Sequence, residues 1–244
     1  MASFSETGHA KNSANFNVLI QFATGYGATY NPSNNNLKIP QLNTLYTLSQ
    51  SRLSDVISKN TSFNNAVNDR VIEFAIIKEL ATRLINAFEA TDATKEKIKD
   101  AKVFNRKIQG KRVTPFSSTP PDPNTPAPNT ISSSQQSYDQ QIQHFGGLVS
   151  VLQSEPSYIP NENDLKLITI IAKQASLITK NNAVATAYVS VNNSRVARNK
   201  TYYIENTGLV DIALEVKKYI KSAFGASSPE YAQVKGILFK TIKT

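Results

Sequence analysis

Apolar residues recur at three- and four-residue steps along most of this chain, and this spacing predicts amphipathic helices. The longest series follows Pro40, whose ring suits the first turn of a helix, and it meets no further Pro or Gly before residue 88. Other helices are predicted over residues 11–24, 134–152, 163–202 and 209–224, the last of these ended by Gly225. A short helix capped by Asp92 is predicted to run through residue 99 to residue 108, and a final one begins at Ser228 and Pro229. The pattern predicts an all-α fold.

Several short sequence segments occur twice, and the two occurrences are separated by a constant number of residues. Residues 30–32 are similar to residues 158–160, and residues 35–38 are similar to residues 163–166, in both cases 128 positions later. Similar segments near the ends of the two repeated regions are instead separated by 136 positions. The chain therefore reads as two tandem copies of one helical unit, each with a short, a long, a medium and a short helix. We expect the two copies to pack as a pseudo-twofold helical bundle.

The change in displacement locates an insertion in the second copy. It falls near Asn206-Thr207-Gly208, a strong helix-breaking sequence. The first copy has no such breaker, but the repeat predicts a shorter interruption at residues 73–76.

The segment between the copies has a different composition. Residues 113–133 contain six Pro among Ser, Thr and Asn, which predicts a flexible linker because little apolar surface is available to bury. A Pro-rich ligand for a groove-binding domain is the alternative, but no basic residue flanks a repeated P-x-x-P. The predicted organisation is residues 1–112 as the first copy and residues 134–244 as the second.

Composition argues against several kinds of chemistry. The 244-residue chain has no Cys and only two separated His, which removes thiolate chemistry and disfavours an imidazole metal site. Its carboxylates form no E-x-x-H or D-x-D arrangement, and the Gly25–Gly27 sequence lacks the third Gly of a dinucleotide site. We therefore expect a non-enzymatic protein without a cofactor.

Basic residues are the main candidates for binding. The net charge is +9, and basic side chains concentrate before the linker and near the C-terminus. Such clusters with interleaved aromatic residues suit phosphate tracking and base stacking, whereas Lys on outer helix faces is also ordinary solubility charge. The candidate nucleic-acid or partner contacts are Arg106, Lys107, Lys111, Arg112, Lys217, Lys218 and Lys221.

A second group of polar residues is singled out by the repeat itself. Asn64, Asn65 and Arg70 of the first copy are matched by Asn192, Asn193 and Arg198 of the second, all displaced by 128 positions. For the two arginines we expect a buried or inter-unit hydrogen-bonding role.

Three segments carry a resemblance to known sequences. Residues 24–32, 104–112 and 217–225 resemble a family of uncharacterised proteins of Bacteroidetes-type bacteria, and the resemblance covers nearly the whole chain. It implies a bacterial origin and an all-helical fold. The family has no assigned activity, ligand or catalytic residue to transfer.

These observations favour a structural or interaction protein that presents helical faces to protein partners or to itself. The alternative is a nucleic-acid-binding protein that uses residues 99–112 and the Lys-rich C-terminal helices. No apolar run long enough to span a bilayer and no signal peptide is visible, so we expect a cytoplasmic protein without integral membrane association; export by a specialised route stays open.

Overall fold

The computed structural model describes residues 4–111 and 136–242, and within these ranges all regular structure is helical, without a strand. The predicted all-α class is confirmed. Two 3-10 turns, Gly27–Thr29 and Asn35–Leu37, follow the first helix. The α-helices are α1 (Phe4–Gly25), α2 (Ile39–Ala75), α3 (Ile77–Glu89), α4 (Lys95–Gln109), α5 (Tyr138–Gln153), α6 (Leu167–Tyr203), α7 (Leu209–Phe224) and α8 (Pro229–Lys235). The predicted linker, residues 113–133, lies outside the described residues.

Most helix ends agree with the local signals in the sequence. The predicted interruption near residues 73–76 is confirmed, since α2 and α3 are separated by Ile76. Gly225 ends α7 with a φ of 96°, a conformation that favours Gly. Ser228 caps α8 by accepting a hydrogen bond from the Tyr231 backbone N–H.

The predicted cap of α4 is wrong. Thr94, not Asp92, caps this helix: its backbone is extended immediately before Lys95, and its hydroxyl accepts a hydrogen bond from the Lys97 N–H. Asp92 stands two residues too early, and a side-chain cap must lie directly before the first helical residue to reach the free N–H groups of the first turn.

The chain forms two compact units. The terminal unit comprises residues 1–63 and 187–244, and the central unit comprises residues 64–186. In the terminal unit α1 packs on α7 and α8, and in the central unit α5 packs on α3 and α4. The long helices α2 and α6 each contribute residues to both units.

These units do not coincide with the two sequence copies, residues 1–112 and 134–244. Each unit instead combines the first helix of one copy with the last two helices of the other. The 37-residue helices α2 and α6 are divided between the units, so the helices before and after each of them belong to different units.

Each unit has its own apolar core. The core of the terminal unit includes the fully buried Phe16, Leu19, Leu42, Val216 and Ile220, which come from α1, α2 and α7.

The core of the central unit includes the fully buried Phe88, Ile108, Phe145 and Leu148. Here α4 and α5 approach closely at Gly147, where a Cβ atom would lie 2.2 Å from the Phe104 ring.

The displacement of 128 residues recurs in local structure. Both ends of α6 lie 128 positions after the corresponding ends of α2. The Tyr30 hydroxyl donates to the Leu37 carbonyl at 2.7 Å, and the Tyr158 hydroxyl donates to the Leu165 carbonyl at 2.9 Å. The two loops before the long helices are thus built in the same way, while the duplication of the whole chain stays a prediction.

Candidate functional site

An extended polypeptide lies along α1 in the terminal unit. After α8 ends at Lys235, residues 236–242 have no helical structure, and we call them the C-terminal segment. The Asn12 side-chain N–H donates to the Lys240 carbonyl at 2.7 Å, and its oxygen accepts from the Lys240 N–H at 3.1 Å. The Asn15 side chain donates to the Leu238 carbonyl at 2.7 Å. Two amides one helical turn apart therefore bind the backbone of the segment.

The position of these amides follows from the face that α1 buries. Its C-terminal half contributes apolar residues to the core, whereas its N-terminal half buries polar ones: His9, Asn12 and Ser13 are at most 3% exposed. The Ser13 hydroxyl pairs with that of Ser49 on α2 at 2.6 Å. Buried polar groups need hydrogen-bonding partners, and the segment's backbone supplies those of Asn12.

The side chains of the C-terminal segment alternate in exposure as in a strand. Ile237 and Phe239 pack against the core of the terminal unit, while Leu238 between them is 66% exposed. Ile242 reaches Gly8 on α1, where an added Cβ atom would lie 2.6 Å from its terminal carbon. A cavity of about 440 Å³ is lined by residues of both α1 and the segment. Together, the backbone contacts, the inserted side chains and the small residue opposite Ile242 form a groove for an extended peptide.

Lys217 on α7 anchors the start of the segment. Its ammonium group donates to the carbonyls of Lys235 and Ile237, both at 2.9 Å, one on each side of Gly236. Burial lowers the pKa of this ammonium group below its usual value. This candidate contact is therefore engaged within the protein, while Lys218 and Lys221 beside it are exposed.

The basic candidates near α4 belong to the central unit. Lys107 and Lys111 are exposed and Arg106 is half-buried, while Arg112 lies outside the described residues. Nearby lysines are paired with carboxylates: Lys102 with Glu89, and Lys97 with Glu155 at 2.9 Å. Hydrogen bonds from Lys97 and Ser157 hold the pKa of Glu155 down at about 2.

Charge is distributed unevenly between the units. Residues 64–186 carry fourteen Lys or Arg and twelve Asp or Glu, whereas residues 1–63 and 187–244 carry thirteen and six. Most of the positive excess thus belongs to the terminal unit, and not to the unit that contains residues 99–112.

The repeated arginines have internal roles. Arg198 is 1% exposed and donates to the side chain of Asn199. Arg70 donates to the Asn181 side chain at 3.1 Å, and its guanidinium lies 4.0 Å from the centre of the Tyr138 ring. Arg70 and its partners all belong to the central unit.

The repeated asparagines differ from the arginines. Asn64, Asn65 and Asn193 are exposed, and Asn192 is half-buried. Their surface position leaves them available to solvent or a partner.

The central unit contains a polar cavity of about 610 Å³. Its lining includes Arg83, Asn86, Asn161 and Glu162, and Arg83 pairs with Asp164 at its edge. Burial, together with nearby carboxylates, raises the pKa of the lining Tyr158 to about 12, so its hydroxyl stays protonated near neutral pH. The cavity is large enough to accept a polar molecule, and the hydroxyl of Ser157 in its lining donates to Glu155 at 2.8 Å.

The long helices expose apolar side chains. Ile72 on α2 is 70% exposed, and Ile168 and Val196 on α6 are 78% and 67% exposed. None of the helices in the described ranges carries the long apolar run that a bilayer span requires. Within those ranges there is also no cluster of three or more His, Asp or Glu side chains arranged to hold a metal ion.

Comparisons with protein-family models, curated proteins and solved structures found no match to this chain. The resemblance to a bacterial family accordingly stays a prediction.

Sequence reasoning missed the groove on α1. One feature of the sequence could have indicated Asn12 and Asn15: they are three residues apart on the helix face that also carries Phe16 and Leu19. The alternating Ile237-Leu238-Phe239 pattern is the corresponding signal in the segment.

Proposed function

We propose that this protein is a non-enzymatic interaction protein, an internally duplicated helical protein that associates with protein partners, including itself. The observation that carries the proposal is the extended segment held on α1, where Asn12 pairs with both backbone groups of Lys240. Contacts of this kind are how extended peptides are recognised elsewhere, with main-chain hydrogen bonds for affinity and pockets for alternate side chains.

Two further features support association with proteins. Exposed Ile72, Ile168 and Val196 lie on the two longest helices, and burying such side chains against a partner is favourable. Internal duplication would also place similar surfaces twice on one chain, which favours symmetric or repeating assemblies. The matching bounds of α2 and α6 and the matching Tyr30 and Tyr158 hydrogen bonds support such a duplication.

The test is the mass of the full-length protein across a wide range of concentration, measured by size-exclusion chromatography with light scattering. We expect the mass to rise above that of a single 26.8 kDa chain as concentration increases. A monomer at every concentration that also captures no protein from its host would contradict the proposal, as would turnover that depends on one specific side chain.

The second candidate function is nucleic-acid binding, and the charge excess of the terminal unit favours it. Lys218 and Lys221 are exposed on α7, and electrostatic attraction to phosphates would use such groups. Absorbance at two wavelengths in the same chromatography run reports bound nucleic acid clearly, since the chain has no Trp.

Affinity for a mixed-sequence duplex should then fall steeply with added salt and with Lys218→Gln plus Lys221→Gln. The matched control replaces the exposed Lys78 and Lys95 in the nearly neutral central unit. An affinity that changes neither with added salt nor with the two α7 substitutions would rule out this function.

A further inference from the structure

We propose that the polar cavity of the central unit, which has a volume of about 610 Å³, is a binding site for an aliphatic polyamine. One ammonium group of the ligand pairs with Asp92, another pairs with Glu162, and the alkyl chain between them lies on the apolar part of the lining. The inference goes beyond the proposed function and does not rest on it, because a bound polyamine requires no protein partner.

The cavity lies between the C-terminal end of α3 and the loop that precedes α6. Its lining comes from residues 83–92 on one side and from residues 157–165 on the other. Asp92 belongs to the first of these segments and Glu162 to the second, so the two carboxylates come from the two walls. A volume of this size is typical of sites that hold a small molecule.

A comparison with the terminal unit shows why this space is open. There, the loop with the corresponding tyrosine hydrogen bond is held by Tyr219 of α7. The Tyr219 hydroxyl accepts from the Asn31 backbone N–H at 3.1 Å, and its ring packs edge-on against Tyr30 with 5.2 Å between the ring centres. At the displacement of 136 residues, Tyr219 corresponds to Arg83. Arg83 pairs instead with Asp164 at the edge of the cavity, so an aromatic ring is replaced by a side chain that is held at the rim.

The described lining carries an excess of negative charge. Asp92 and Glu162 are exposed and form no ion pair within the described part of the chain. Arg83 is the one basic side chain of the described lining, and Asp164 neutralises it. Charge of this sign attracts a cation, and it contrasts with the net charge of +9 of the whole chain.

Two further features strengthen the negative field in the cavity. Helix α3 ends at Glu89, so the wall includes the C-terminal end of a helix, where the backbone carries a partial negative charge. The effect of the carboxylates is visible at Tyr158 in the wall, since burial, and then the charges of Glu162 and Asp164, raise the pKa of its hydroxyl to about 12. Both features favour a positively charged ligand.

The lining suits an organic cation better than a metal ion. Within the described ranges no three His, Asp or Glu side chains are arranged to hold a metal. An ammonium group has three donors and can use separate acceptors, and the exposed amides of Asn86 and Asn161 supply acceptors in addition to the two carboxylates. The alkyl chain covers Ile159 and Pro160, and because Ile159 is 80% exposed, burying it is favourable.

The experiment is equilibrium dialysis of the full-length protein at low salt against four amines. Spermidine and 1,6-diaminohexane carry two or more ammonium groups, hexylamine carries one on the same alkyl chain, and Nα-acetyl-lysine methylamide represents the lysine side chain of a protein. We expect spermidine and diaminohexane to bind one molecule per chain. Both single-ammonium compounds should bind roughly fivefold more weakly or worse, because they pair with one carboxylate only.

Two substitutions remove the ion pairs one at a time. Asp92→Asn and Glu162→Gln change exposed side chains, so circular dichroism should show an unchanged fold. Each should weaken spermidine binding by roughly fivefold to tenfold, and each should remove the preference for diaminohexane over hexylamine. The matched control combines Glu96→Gln with Asp100→Asn, two exposed carboxylates of α4 outside the described lining, and should bind spermidine as the wild type does.

Arg83→Tyr distinguishes a shaped site from a diffuse negative field. The substitution removes a positive charge, so a diffuse field would bind spermidine more tightly, whereas a ring placed like that of Tyr219 should fill the cavity and abolish binding. Tighter binding by Arg83→Tyr overturns the proposal, as does equal affinity for hexylamine and diaminohexane or no binding of spermidine at all. Tighter binding of the acetyl-lysine compound than of spermidine also overturns it, because the site would then take a protein side chain. None of these results changes the measurement of mass that tests the proposed function.

Discussion

Cutting the chain within residues 113–133 should leave the two pieces together in one stable particle. Each compact unit is built from both pieces, because α1 packs on α7 and α8 while α5 packs on α3 and α4. A protease site inserted into this segment makes the cut without changing any described residue. The pieces correspond to the two sequence copies, so the experiment asks whether one copy can exist without the other.

The expected affinity between the two pieces follows from the buried side chains of α1 and α5. Separation would expose seven large side chains that are at most 1% exposed: Phe16, Leu19, Ile20, Phe145, Leu148, Val149 and Leu152. At about 1.5–3 kcal/mol each, their burial contributes about 10–20 kcal/mol. The facing surfaces of α3, α4, α7 and α8 contribute a comparable amount. Association costs about 4–15 kcal/mol in lost freedom, and a micromolar complex needs about 8 kcal/mol net, so the cut protein should stay associated at micromolar concentration.

The assay is light scattering and circular dichroism of the cut protein before and after dilution. We expect one particle with the mass of the intact chain and nearly unchanged helicity. Adding urea should release both pieces together with the loss of helix, because neither retains a complete core. Pieces that separate into folded monomers in plain buffer would refute the assignment of the units.

Three substitutions test the packing in detail. Gly147→Ala should lower the free energy of unfolding by about 1–3 kcal/mol, because its methyl group enters the aromatic ring facing it; Gly146→Ala, which meets only a flexible amide, is the control and should be neutral or stabilising in chemical denaturation. Burial, and then the charge of a nearby lysine, lower the pKa of His144 below 6.5, so the folded state favours the neutral imidazole. The stability of the protein should therefore fall as the pH drops through about 6.5. In His144→Leu, the melting temperature should no longer show this contribution to its pH dependence. Lys217→Gln should cost about 1–3 kcal/mol of stability through two lost hydrogen bonds, whereas a change at its exposed neighbour Lys218 should cost little.

Features set by neighbouring residues could be predicted from the sequence. Pro40 in the first turn of α2, Gly225 at the end of α7 and Ser228 as a cap act within a few residues, so their effects hold in any fold. The interruption after Ala75 was predictable only because the second copy contains a stronger breaker at the same place. The cap of α4 was predicted incorrectly because Asp92 and Thr94 are both good caps and only the backbone path decides between them.

The grouping of helices could not be predicted because it depends on long-range packing. Amphipathic patterning shows that α1 needs a partner but not that the partner is α7 of the other copy. The same holds for the groove, where Asn12 and Lys240 are 228 residues apart. Lys217 is a further example. Its charge suggests an exposed contact for a ligand, but its ammonium group donates hydrogen bonds to two backbone carbonyls of the same protein.

A comparison of α1 with α5 shows how the described parts of the two units differ. The two helices bury equivalent apolar residues 129 positions apart, such as Phe16 and Phe145. At this displacement Asn12 corresponds to Gln141, which donates to the Gln136 carbonyl just before its own helix.

The elements that cover the two helices differ as well. In the central unit α4 continues as a helix to Gln109 and covers α5 with the ring of Phe104 against Gly147. In the terminal unit α8 ends at Lys235, and an extended segment covers α1 instead. The side chains of α4 therefore hold it on α5, whereas the segment is held on α1 through its backbone as well, by the Asn12 and Asn15 amides.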